Sequence, residues 1–171
     1  AENIYQDLTQ HGKLINKEAI ETLLKDDIRL ESYVDKAFKE LFFHVGEDVK
    51  PEYNGIQLIN SAVIIRYIKQ LLGHDLRYAP FTLEATELPV HEAITIHTSE
   101  GPVESTIGGY IDRLDSKEGT LRIGDYKTGG KADTPANVSS LFVSDKKRSN
   151  YVFQTFLYAA IMSRKVTQKI A

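Results

Sequence analysis

Asp112, Asp125 and Lys127 carry charge at even spacing along two otherwise apolar extended runs, which makes them the first candidates for chemistry in this chain. Side chains of a strand alternate between faces. In Thr106-Ile107-Gly108-Gly109-Tyr110-Ile111-Asp112-Arg113-Leu114, Tyr110, Asp112 and Leu114 therefore share one face, and Ile111 and Arg113 the other. After the polar turn 115–119, the run 120–128 puts Leu121, Ile123, Asp125 and Lys127 together. If the runs pair as an antiparallel hairpin with Leu114 opposite Leu121 or Ile123, Asp112 lies diagonal to Asp125 or directly opposite it, roughly 5 to 8 Å away at Cβ. A register slipped by one residue would send Asp125 and Lys127 to the other face.

Two carboxylates that close suit a magnesium-type ion, which takes oxygen ligands and usually only one or two protein carboxylates, leaving other positions for water and substrate phosphate. Such an ion neutralises charge on a phosphodiester and activates water, and a same-facing lysine offsets developing phosphate charge or orients the water. An ordinary cross-strand Asp/Lys salt bridge at a solvated sheet edge is the competing account, and spacing alone does not separate the two.

The elements needed to position these residues are legible in the periodicity. Lys17–Lys25 reads as a short helix behind Asn16, and Leu30, Tyr33, Val34, Ala37, Phe38, Leu41 and Phe42 trace a stripe along a second. A third is expected over about 56–72, with Ile59, Val63, Tyr67 and Leu71 on one side and Gly73 as its stop. Strands are expected over about 80–90, 92–98, 103–114 and 120–128, then a small-residue loop from Gly129 to Ser140 able to close over a substrate. Phe153, Phe156, Leu157, Ala160 and Ile161 recur at helical spacing within 149–163, with an N-cap at Ser149-Asn150. That helix carries Gln154 and Tyr158 at i and i+4; taken alone, this pair reads more simply as an exposed Gln and a core Tyr.

Gly109-Tyr110-Ile111-Asp112-Arg113-Leu114-Asp115, then Gly124-Asp125-Tyr126-Lys127-Thr128-Gly129, then Gln154 and Tyr158, resembles the PD-(D/E)XK nuclease superfamily, and within it the RecB/AddB-type exonuclease domain. The resemblance implies an α/β, restriction-endonuclease-like core: a mixed central β-sheet flanked by helices, with a helical N-terminal part. It also implies catalytic roles for Asp112, Asp125 and Lys127, with Gln154 and Tyr158 supporting them. A glutamate on the strand before the first Asp is implied as a further metal ligand; Glu87, followed by Leu-Pro-Val, fits better than Glu84, and their opposite parity lets a regular strand present only one of them. The implied metal set is Glu87, Asp112 and Asp125 holding Mg²⁺ or Mn²⁺, the implied substrate DNA, and the implied setting a helicase domain or subunit in recombination and repair. A catalytically degenerate DNA-binding or scaffolding domain of the same fold is the alternative, and a metal-free interaction domain a third.

The resemblance also implies a histidine in an N-terminal helix, and none precedes Ala1-Glu2-Asn3-Ile4-Tyr5. The expectation is therefore a single nuclease domain over 1–171, mainly helical over 1–78, with the sheet and site over 79–128 and the supporting helix over 149–163, excised from a larger protein. Whether the fragment is active by itself stays open.

Composition fits this picture without selecting it. The chain has 171 residues, is 42% hydrophobic and contains no Cys, which allows one sizeable core, excludes a disulfide framework or cysteine-ligated cluster, and suits a reducing cytoplasm. No apolar run reaches membrane-spanning length. With 21 Lys+Arg against 24 Asp+Glu there is no overall basic field; Lys127, Lys131, Lys146, Lys147 and Arg148 gather the positive charge, as a DNA-facing patch or equally as a solvated loop. His11, His44, His74, His91 and His97 lack metal-ligand spacing.

Overall fold

A computed structural model describes residues 2–10, 12–129, 134–143 and 149–171. The chain divides into two compact units, Ala1–Thr82 and Leu83–Ala171.

In the first unit, α1 (Glu2–Leu8), α2 (Lys17–Lys25), α3 (Asp27–Ala37) and α4 (Gly55–Tyr78) bury Ile4, Tyr5, Ile20, Leu23, Leu30, Val34 and Leu72. Asn16 stands at the N-cap of α2 as expected. The Asp26 carboxylate accepts from the Arg29 backbone N–H to cap α3, and Asn54 and Gln57 form a reciprocal capping box on α4. The stripe expected as one helix is divided: α3 ends at Ala37, and a wider π-helical turn, Phe38–Phe43, follows. Gly73 does not stop α4, which runs on to Tyr78. A glycine inside a helix costs only about 1 kcal/mol, which the burial of Leu72 offsets; the real stop is Pro80, whose ring drives Ala79 out of helical geometry. Asp75 accepts a hydrogen bond from the buried Tyr5 hydroxyl at 2.5 Å. The face read as apolar is not the buried one, since Ile59, Val63 and Tyr67 are exposed.

Five strands pair in the order β1–β2–β3–β4–β5: β1 (Leu14–Ile15), β2 (Phe81–Thr98), β3 (Gly101–Lys117), β4 (Thr120–Gly124) and β5 (Lys169–Ile170). β4 pairs antiparallel with β3 and parallel with β5, so the sheet is mixed. The mixed sheet, flanking helices and helical N-terminal part make up the restriction-endonuclease-like α/β class expected. No break occurs near His91, because the 80–90 and 92–98 runs form one continuous strand. β1 and β5 are too short to leave a periodic signal. Among the described residues no helix is long and apolar enough to cross a membrane.

α5 (Asn150–Ser163) follows Ser149 as expected and packs Tyr158, Ile161 and Met162 against Val90, Ile111, Leu114, Leu121 and Ile123. Both faces of β3 are covered here: Ile111, Arg113, Leu114 and Asp115 are all buried. Two glycines allow the close approach. A Cβ on Gly108 would overlap the Val90 carbonyl oxygen and the His91 backbone, and one on Gly109 would overlap the Tyr158 hydroxyl. Of the loop expected over 129–140, residues 130–133 lie outside the described residues; Val138–Leu141 forms a 3₁₀ turn closed by an Asn137–Ser140 capping box.

Candidate active site

The β3–β4 ladder places Leu114 opposite Ile123 and ends at Arg113 opposite Gly124. Of the two registers compatible with the sequence, this one would carry Asp112 directly opposite Asp125. β4 stops at Gly124, however, so the strand expected to reach Thr128 ends four residues early. Asp125, Tyr126 and Lys127 are held by side-chain bonds instead of a ladder. The reason is visible at Asp112: its Oδ2 accepts the Tyr126 backbone N–H at 2.6 Å. A carboxylate takes the donor that a neighbouring strand's carbonyl would otherwise receive.

Around this turn the predicted residues come together. Lys127 Nζ lies 2.6 Å from Asp125 Oδ2 and donates to Gln154 Oε1 at 3.2 Å. Gln154 Nε2 in turn donates to the Tyr158 hydroxyl at 2.9 Å. The Asp125 side chain is only 8% exposed and that of Lys127 33%. The hydrogen bond to Asp125 raises the Lys127 pKa above its ordinary value; burial opposes the shift, while the charges of Asp125 and Asp112 reinforce it. Lys127 is thus a retained ammonium. Tyr158 is both core and site: it is 3% exposed, its ring packs in the hydrophobic cluster, and its hydroxyl reaches the Gln154 amide. The simpler reading of the helix pair was right about Tyr158 and incomplete about Gln154, which is half-buried.

Glu84 and Glu87 separate clearly. The Ser116 hydroxyl donates to Glu84 at 2.5 Å, which fixes Glu84 beside the far end of β3. Gly108 approaches Val90 and His91, so Asp112, midway between Gly108 and Ser116, runs alongside the Glu87 stretch of β2. Glu87 is exposed and adopts φ +49°, a left-handed conformation rare for residues other than glycine and one that interrupts strand alternation. The parity argument between the two glutamates therefore does not apply across it. Among the described residues no group of three or more Asp, Glu, His or Cys is gathered closely enough to hold a metal, so Glu87, Asp112 and Asp125 do not form one close cluster.

Asp112 and Asp125 nonetheless present the donors a hard divalent ion uses. The bonds described engage Oδ2 of each, leaving Oδ1 on each carboxylate. All-oxygen donors with one or two carboxylates fit Mg²⁺ or Mn²⁺.

Two features escaped the sequence reading. The Lys127 ammonium lies 5.3 Å from the Tyr151 ring centroid, one helical turn before Gln154, adding a cation–π contact. Beneath the turn, fully buried Asp115 binds two arginines: Arg122 through both oxygens, at 2.9 and 2.7 Å, and Arg113 Nε at 3.0 Å. Alternating opposite charges at Arg113 and Asp115 inside a buried run were the available signal. Lys131, Lys146, Lys147 and Arg148 lie outside the described residues, as does His11.

Neither the curated proteins nor the solved structures compared with the chain gave a match. A family model did: that of the PD-(D/E)XK nuclease superfamily, over residues 2–170. With the match spanning almost the entire chain and the Asp112, Asp125 and Lys127 neighbourhood folded into one bonded group, the protein belongs to the PD-(D/E)XK nuclease superfamily.

Proposed function

We propose that the chain is a metal-dependent deoxyribonuclease of the RecB/AddB exonuclease type, hydrolysing DNA phosphodiester bonds with Asp112, Asp125 and Lys127. The observation that carries this is the continuous set of bonds from Tyr158 through Gln154 to Lys127 and Asp125, with Asp112 tied to the intervening Tyr126. A structural salt bridge needs no glutamine backed by a buried tyrosine.

Each residue has a distinct role. Asp112 and Asp125 would hold Mg²⁺ or Mn²⁺, with Glu87 as a further oxygen donor. The bound ion supplies charge neutralisation at the phosphate and a more acidic water. Lys127, kept protonated by Asp125, offers its ammonium to the charge that develops on phosphate oxygens during attack. Gln154 accepts a second bond from the Lys127 ammonium, and Tyr158, too buried to meet substrate, orients the Gln154 amide. Tyr151 limits the swing of the lysine.

The whole chain is read as one nuclease domain, with the catalytic group in Leu83–Ala171. The wider setting, a helicase–nuclease assembly in cytoplasmic DNA recombination and repair, is supported by the Gly-Tyr-Ile-Asp-Arg-Leu-Asp and Asp-Tyr-Lys-Thr-Gly stretches and by the lack of Cys. The test is incubation of linear duplex and single-stranded DNA with the protein, with and without Mg²⁺ or Mn²⁺. Cleavage that appears with the metal and disappears on chelation is expected; no metal-dependent cleavage of either substrate contradicts the proposal.

A further inference from the structure

We propose that Arg113 is a positioning residue for the Asp112 carboxylate, acting through the ring of Tyr126; the inference rests on the nuclease reading above. Burying charge is expensive, and a buried ion pair is often no more stabilising than an apolar pair of the same volume. Arg122 alone engages both oxygens of Asp115, a complete fork-to-carboxylate match, yet Arg113 is buried beside it at 4% exposure. Arg113 pairs with the same carboxylate, its Nε 3.0 Å from Asp115 Oδ2.

The Tyr126 ring lies over this buried guanidinium. The Arg113 guanidinium carbon is 5.8 Å from the Tyr126 ring centroid. Tyr126 is the residue whose backbone N–H binds Asp112 Oδ2, and it stands between Asp125 and Lys127. The β3–β4 ladder ends at Arg113 and Gly124, so strand pairing does not hold this tripeptide. Arg122 holds Asp115, Asp115 holds Arg113 by an ion pair, Arg113 seats the Tyr126 ring, and the seated residue aims its N–H at Asp112. Moving the ring would displace the carboxylate's donor and both flanking catalytic side chains at once.

The experiment compares the full chain with Arg113→Lys, Tyr126→Leu and Tyr126→Phe. Folding is followed by circular dichroism, Mn²⁺ binding by the electron paramagnetic resonance of free Mn²⁺, and DNA cleavage by kcat and KM separately. Arg113→Lys keeps a charge opposite Asp115 but lacks the planar fork. It and Tyr126→Leu are expected to fold, bind Mn²⁺ about tenfold or more weakly and lose kcat with little change in KM, the range typical of outer supports of a metal site. Tyr126→Phe keeps the ring and is expected to bind Mn²⁺ like the unaltered chain. Wild-type Mn²⁺ affinity in folded Tyr126→Leu overturns the proposal, as does a Tyr126→Phe loss equal to that of Tyr126→Leu. If Arg113→Lys does not fold, the two Tyr126 variants decide by the same readout. Absence of Mn²⁺ binding in the unaltered chain defeats the nuclease reading itself and this inference with it, so the two failures are told apart.

Discussion

At the residue scale, the site is a set of side chains that constrain one another. Asp112 receives a backbone donor, Asp125 a lysine, and Lys127 a glutamine braced by a buried phenol. Glu87 is the residue whose role is least constrained by these bonds. Its left-handed φ at the level of Asp112 is the kind of backbone strain, on the order of 1–3 kcal/mol, that concentrates at functional positions, whereas Glu84 is occupied by Ser116. Glu87→Gln is therefore expected to lower Mn²⁺-dependent cleavage by about tenfold or more, and Glu84→Gln to leave it near wild type, measured as initial rates over a Mn²⁺ titration. Equal effects of the two changes would remove Glu87 from the site. Charge on apolar runs singled out Asp112, Asp125 and Lys127, the family resemblance gave them roles, and the strand parity expected for Asp125 and Lys127 does not apply because β4 ends at Gly124. The sequence carried no signal for the φ of Glu87, since a left-handed conformation is uncommon for residues other than glycine.

At the scale of elements, the hairpin and α5 matter most: apolar matching left two registers, Leu114 opposite Leu121 or Ile123, of which the structure takes the second, and the helix was legible from its 3.6-residue period. What was not legible came from competition between local signals. Gly73 reads as a helix stop until Pro80 is weighed against it, and the end of β4 depends on a side chain, Asp112, taking the Tyr126 N–H. Adjacent Gly108 and Gly109 offer a direct check of how β3 is seated. Gly108→Ala would force a Cβ into the Val90 backbone and separate β2 from β3, so a large loss of stability is expected, at or above the roughly 1–3 kcal/mol usual for overpacking. Gly109→Ala meets the Tyr158 hydroxyl and the adjoining ring edge, with no backbone among its nearest neighbours. It should lose less stability but a larger share of activity, since displacing that hydroxyl releases Gln154. Urea midpoints and cleavage rates for both variants would test the contrast, and a Gly109→Ala protein with wild-type activity would contradict the bracing role of Tyr158.

At the scale of the molecule, the proposed catalytic group lies within Leu83–Ala171, while a hydrogen-bonded pair with shifted pKa values, Asp35 and Tyr53, lies in Ala1–Thr82. The Tyr53 hydroxyl donates to Asp35 at 2.7 Å, and its ring packs edge-on against Phe38 and Phe43. That bond holds the Asp35 carboxyl below its ordinary range, while burial, and then Asp35 itself, push the Tyr53 phenol up to about 12. A lowered carboxyl contributes stability above its unfolded pKa and loses it as pH falls through the folded value; a raised phenol contributes below its unfolded pKa and loses it as pH rises from about 10 toward 12. Tyr53→Phe should flatten both limbs of the stability–pH curve, by less than about 1 kcal/mol because the pair is half solvated. Chemical denaturation from acid to alkaline pH would show this; unchanged limbs would mean that the pair contributes nothing. Cleavage at neutral pH should be little affected.

The central claim is that Asp125 is an indispensable member of a metal-dependent phosphodiesterase site. Its most direct test is the single-turnover rate of DNA cleavage in Mn²⁺ by Asp125→Ala beside the unaltered chain, both shown to be folded. A fall of about a hundredfold to a thousandfold or more is expected from removing a carboxylate that both binds the ion and fixes Lys127. A rate within a few fold of the unaltered chain would contradict the account.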